Sequence, residues 1–167
     1  MKAVLISIQP KWVEKIASGE KTIEVRKTKP KLETPFKCYI YETKGKQVEH
    51  LDGCDITYYG RGKVIGEFVC DRIAGNGETI RGNACLSEEE LINYCNGKDL
   101  YFWHILEIKI YDKPKELSEF IKYMDCKNHY DCCACHNWDR LNLKCIAMNN
   151  ELKRPPQSWC YVEELQE

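Results

Sequence analysis

The chain has 167 residues, of which 43% are hydrophobic and 31% charged, and its formal net charge is −1. That is room for one domain with a sizeable core under a mixed-sign surface. It excludes a disordered tail and a collagen-like rod. The longest apolar runs, such as Val4-Leu5-Ile6, fall far short of the roughly 20 residues of a membrane-spanning helix.

Residues 2–8 alternate as a strand, with Val4, Ile6 and Ile8 on one side. No apolar leader or small-residue cleavage site precedes them, so a cytoplasmic protein without a signal peptide is expected. Pro10 suits a first helical position. Trp12, Val13, Ile16 and Ala17 follow at helical spacing, and Gly19 supplies a left-handed stop, which predicts a helix over 10–18. Residues 21–26 alternate with period two. Ile23 and Val25 would face the core, while Thr22, Glu24 and Arg26 share the opposite face.

Residues 27–35 are basic and hold two prolines, so they read as a loop or a ragged edge strand. Residues 37–43 read as a strand, 44–46 and 60–62 as turns, and 63–73 as a long strand. Ser87 and Glu90 form a capping box for a helix whose stripe is Leu91, Ile92 and Cys95 and whose end is Gly97. Residues 100–111, rich in aromatic and β-branched side chains, are the clearest strand. A helical turn at 117–123 and a last strand at 154–162 complete the order. The pattern is α+β, a small barrel flanked by two or three short helices in a single domain over residues 1–167.

Charge is unevenly spread. Residues 1–46 carry eleven Lys and Arg against five Glu, so the near-neutral total hides a basic N-terminal part and an acidic remainder.

The stretch Gly19-Glu20-Lys21-Thr22-Ile23-Glu24-Val25-Arg26 matches a G-x-K-x-x-E-x-R pattern and resembles the signature of the ASCH domain, a family of the PUA-like superfamily of small barrels. Arg154-Pro155-Pro156-Gln157-Ser158-Trp159 resembles the closing strand of short ASCH proteins from bacteria and phages. The resemblance covers residues 1–125 and 154–163 and leaves 125–150 as an insertion before the last strand.

A lysine, a carboxylate and a guanidinium at this spacing suit a polar ligand such as a nucleobase or nucleotide. The carboxylate accepts from amino groups, and the guanidinium donates as a fork. Lys21, Glu24 and Arg26 would line that cleft, and the resemblance adds Ser158 and Trp159 at its border. The resemblance thus implies a binding module for RNA or a nucleotide. The basic run Arg26-Lys27-Thr28-Lys29-Pro30-Lys31 is placed for phosphates.

An enzymatic alternative stands beside it, a hydrolase of a modified nucleoside or a ribonuclease. ASCH-like amidohydrolases acting on acylated cytidine use a lysine, a threonine and a glutamate. Lys21 and Glu67 would correspond to two of these, but the threonine position, three residues past the lysine, is Glu24 here. A protein-interaction adaptor is a third reading.

Five of the eleven cysteines, Cys126, Cys132, Cys133, Cys135 and Cys145, fall within twenty residues. Cys132 and Cys135 form a C-x-x-C pair, the spacing at which one turn presents two thiolates to a tetrahedral metal. With Cys126 and Cys145, and His129 or His136 as substitutes, they are expected to hold a structural zinc.

Overall fold

The computed structural model describes residues 1–123, 138–139, 144–145 and 151–166. Its centre is a six-stranded mixed sheet in the order β10-β1-β3-β6-β7-β2. Strand β1 (Lys2–Ile8) lies second from one edge, parallel to β3 (Phe36–Glu42) and antiparallel to β10 (Trp159–Glu163). Being covered on both faces, β1 is apolar at nearly every position rather than at every second one. Val4, Ile6 and Ile8 enter one core cluster, with Phe68 and Trp103. Ala3 and Leu5 enter another, with Tyr39 and Phe120.

Helix α1 (Pro10–Ala17) has Pro10 at its start, buries Val13 and Ile16, and is followed by Gly19 at φ 77°. Strand β2 (Ile23–Arg26) pairs antiparallel with β7 (Tyr101–Lys115), and β6 (Val64–Ala74) bridges β3 and β7. Strand β2 begins two residues later than the alternation suggested. Thr22 lies before it, and its hydroxyl accepts the Asn83 N–H at 2.9 Å instead of sharing a face with Glu24.

Beyond the predicted elements, β4 (Gly45–Leu51) and β5 (Cys54–Gly60) form a full hairpin, which takes in residues of the turns expected at 44–46 and 60–62. Its signal was the Asp52-Gly53 pair, with φ 49° and 80°, the left-handed dipeptide that closes a two-residue turn. The capping box of α2 (Glu88–Cys95) is present. Its inner stripe, however, runs through Leu91 and Cys95, while Ile92 points to solvent.

A 3-10 turn follows β7 at Leu117–Glu119, and β8 (Trp138–Asp139) pairs with β9 (Lys144–Cys145). Of the predicted insertion at 125–150, only these two short backbone segments are described.

Among the described residues, the edge strands β2 and β10 share no ladder, so the sheet curls into a half-barrel rather than a fully hydrogen-bonded one. Side chains bridge the seam instead. Arg26 Nη1 donates to Ser158 Oγ at 3.4 Å, and Trp159 packs 6.0 Å from the Trp103 ring. The fold is α+β, consistent with a PUA-like domain.

Candidate functional site

The α1–β2 junction sets the site. The turn at Gly19 lets the Lys21 N–H reach back to the Lys15 carbonyl at 2.8 Å, which points the Lys21 side chain in under α1. From there β2 alternates. Ile23 and Val25 pack with Leu100, and Glu24 and Arg26 project from the other face. All three charged groups are nearly covered, at 2% exposure for Lys21, 6% for Glu24 and 8% for Arg26.

Their contacts form a chain of opposite charges. Lys21 Nζ donates to the Ala84 carbonyl at 2.6 Å and stands 3.5 Å from Glu24 Oε2. Glu24 Oε1 accepts from Arg26 Nη2 at 2.9 Å, and the same nitrogen donates to the Ser7 carbonyl at 2.6 Å. Two atoms are left over: Glu24 Oε2 and Arg26 Nε are buried and have no hydrogen-bond partner among the described residues. The Lys21 ammonium attracts Oε2 at 3.5 Å without a well-formed hydrogen bond to it.

Buried polar atoms are nearly always paired, so two unpaired ones within a single three-residue network mark a site short of partners. Two cations also face one carboxylate, which leaves the network with a surplus positive charge. Burial lowers the Lys21 pKa, and Glu24 only partly opposes it.

The three side chains line a cavity of about 620 Å³. Ser7, Gln9 and Thr43 add polar wall, and Trp12 and Tyr94 add aromatic wall. The Trp12 ring centroid lies 5.1 Å from Lys21 Nζ.

Lys21, Glu24 and Arg26 are thus brought together. Ser158 meets them only through Arg26. Trp159 is turned away from the cavity, packed between Trp103 and Tyr161. Glu67 is not beside Lys21: it pairs with Lys37 at 3.5 Å and accepts from the Tyr111 hydroxyl, in a separate hollow of about 370 Å³.

Tyr94 escaped the sequence reading. On α2 the i, i+3, i+4 stripe from Leu91 runs through Tyr94 and Cys95, and choosing Ile92 instead hid it. Nothing in the sequence marks the Ser7 and Ala84 carbonyls as ligands of Arg26 and Lys21, since any residue supplies a carbonyl.

The side chains of Cys126, Cys132, Cys135, Cys145, His129 and His136 lie outside the described residues. Among the described residues, no group of three or more His, Cys, Asp or Glu is placed to hold a metal ion.

A sequence model of the ASCH domain matches residues 6–147. Among solved structures, similar chains include three forms of an ASCH protein from Zymomonas mobilis. A tyrosine-to-phenylalanine mutant is 20% identical, with a TM-score of 0.52, covering 98% of this chain and 92% of its own. A serine-to-alanine mutant is 18% identical, at TM-score 0.50, covering 97% and 89%. The form titled simply as ASCH is 19% identical, at TM-score 0.50, covering 97% and 88%. At these identities the likeness concerns the fold alone. No curated protein sequence matches the chain.

Proposed function

Because the chain belongs to the ASCH domain family, whose domains are generally RNA-binding, we propose that the Lys21–Glu24–Arg26 cavity receives a nucleobase of an RNA or a nucleotide. The observation that carries this reading is the pair of unpartnered buried atoms, Glu24 Oε2 and Arg26 Nε, on residues that line the cavity. A carboxylate oxygen accepts from an exocyclic amine or ring N–H of a base, and a guanidinium N–H donates to a carbonyl. The surplus positive charge suits a phosphate.

Trp12 and Tyr94 supply ring faces, and base stacking on an aromatic side chain is worth about 1–3 kcal/mol. The volume falls within the ~300–1,000 Å³ of ordinary ligand pockets.

Calorimetric titration with the four nucleoside monophosphates tests the reading. Glu24→Gln keeps the shape of the side chain and removes its charge, and affinity is expected to fall at least about tenfold. Trp12→Ala should cost a similar factor through lost stacking. Unchanged affinity in both variants, each checked for folding by circular dichroism, retires the cavity.

One observation favours catalysis as a second reading: the lowered pKa of Lys21 raises the share of neutral amine that can act as base. Thr22 and Glu67 do not stand at its side, since Thr22 bonds Asn83 and Glu67 pairs with Lys37. Turnover of an acylated cytidine, or cleavage of RNA, that stops in Lys21→Ala would move the assignment from binding to hydrolysis.

The cysteine spacing is read separately, as a structural zinc site. About one zinc per chain is expected on metal analysis, lost when Cys132 and Cys135 are both changed to serine.

A further inference from the structure

Residues 27–35 cross the seam where the sheet edges approach each other, and β10 holds them there. Trp159 Nε1 donates to Thr28 Oγ1 at 3.0 Å, and the Lys31 N–H donates to the Tyr161 hydroxyl at 2.6 Å. Pro30 is buried between them, while Lys29 and Lys31 are exposed and Lys27 is half-buried. The segment is a strap fixed at several points, with its lysines outward.

These lysines differ from the ion-paired ones. Lys11, Lys15, Lys37 and Lys63 each have a carboxylate within 4 Å. Lys27, Lys29 and Lys31 form no ion pair with any described residue. Aromatic rings position two of them instead: Lys27 Nζ lies 4.7 Å from the centroid of Tyr94, and Lys29 Nζ lies 5.3 Å from that of Tyr101. A ring orients an ammonium without cancelling its charge. Farther along the seam, Lys2 Nζ sits 4.0 Å from the ring of Tyr161, the residue that anchors Lys31.

The row begins at the cavity, because Tyr94, under Lys27, is also one of its walls. Lys27, Lys29 and Lys31 are two residues apart, so each step spans at most about 7 Å of chain. That is the scale on which successive phosphates follow one another in an extended single strand. A duplex keeps its bases stacked inside and presents grooves, so it cannot place a base in the cavity while following the strap.

We propose that the 27–31 strap is the phosphate track of a single-stranded RNA, one unpaired base of which occupies the cavity. The inference rests on the nucleobase reading of that cavity. Lys27 takes the phosphate nearest the flipped base, and Lys29 and Lys31 take the next along the strand. Arg26, at the start of the strap, belongs to the cavity floor and does not contribute to the track.

The test uses the whole chain and a fluorescein-labelled single-stranded RNA 12-mer, read by anisotropy across a salt series, beside calorimetry with nucleoside monophosphates. In the triple variant Lys27→Gln, Lys29→Gln, Lys31→Gln, the 12-mer is expected to bind about tenfold more weakly. The slope of log affinity against log salt should shrink by about 2, at ~0.7 per phosphate contact. Mononucleotide affinity should stay within about twofold in the double variant Lys29→Gln, Lys31→Gln, which leaves the cavity and Lys27 intact. A blunt duplex of the same sequence should bind the parent at least about tenfold more weakly than the single strand.

A triple variant that holds the 12-mer as tightly as the parent, with the same salt slope, overturns the track. Equal affinity for the duplex overturns its single-stranded character. A parent that takes no mononucleotide overturns the cavity reading instead, and the effect of the strap variant on the 12-mer still decides the track.

Discussion

Two hollows of this molecule are built from the same residue types and behave in opposite ways. The first holds Lys21 and Glu24 beside the core cluster of Ile8 and Val13. The second holds Lys37 and Glu67 beside the cluster of Tyr39 and Phe120. The Lys21 side chain is 2% exposed and that of Lys37 is 23%. In the first, one carboxylate serves two cations; in the second, Glu67 and Glu164 both face one lysine. Burial is the largest influence on each lysine, yet it wins only in the first. The Lys21 pKa falls, while around Lys37 the two carboxylates together outweigh burial and the pKa rises. A Lys–Glu contact therefore says little about a site until its burial and its charge count are known.

The largest expected effect concerns stability. Glu24→Ala leaves Lys21 and Arg26 buried without a counter-charge and should cost about 3–5 kcal/mol in urea unfolding. Glu67→Ala, in a wetter hollow, should cost about 1 kcal/mol. Equal costs would break the comparison. Next comes the ligand. A nucleotide at a hundredfold excess over its Kd should raise unfolding stability by about 2.7 kcal/mol. At the same concentration Glu24→Gln should cut that gain to about 1.4 kcal/mol or less, and Glu67→Gln should leave it whole. A gain that follows Glu67 instead would move the binding site to the second hollow.

Much of this frame was legible in the sequence because it rests on local chemistry. Gly19 had to end α1, Ser87 and Glu90 had to cap α2, and the period-two run had to put Glu24 and Arg26 on one face. The separation of Glu67 from Lys21 was not legible. It depends on which face of the sheet each strand presents, and Glu67 stands opposite Tyr39 in register, beside the second core cluster. Trp159 was assigned to the cleft because the last strand borders it, but packing against Trp103 turned the ring away. Tyr94 was missed through a helical phase error of one residue, and the β4–β5 hairpin through an Asp-Gly pair passed over. The carbonyls of Ser7 and Ala84 leave no trace in a sequence, because the backbone of every residue offers the same acceptor.

The smallest effect sharpens the comparison most, because its sign differs between the hollows. Lys21 has a folded-state pKa below 10.5, so on the way up in pH the folded chain releases this proton before the unfolded chain does. Its penalty on folding is full below that lowered value and is relieved as the pH climbs towards 10.5. The stability of the parent relative to Lys21→Met should therefore rise across that window. Lys37 has a raised folded-state pKa, so its contribution is complete below 10.5 and is lost as the pH rises through the raised value. The stability of the parent relative to Lys37→Met should stay level and then fall. One proton limits either slope to about 1.4 kcal/mol per pH unit, so the measurement is the difference between parent and variant urea curves at matched pH. Two falling curves would mean that Lys21 keeps its proton as firmly as Lys37 does, and that Glu24 offsets burial after all.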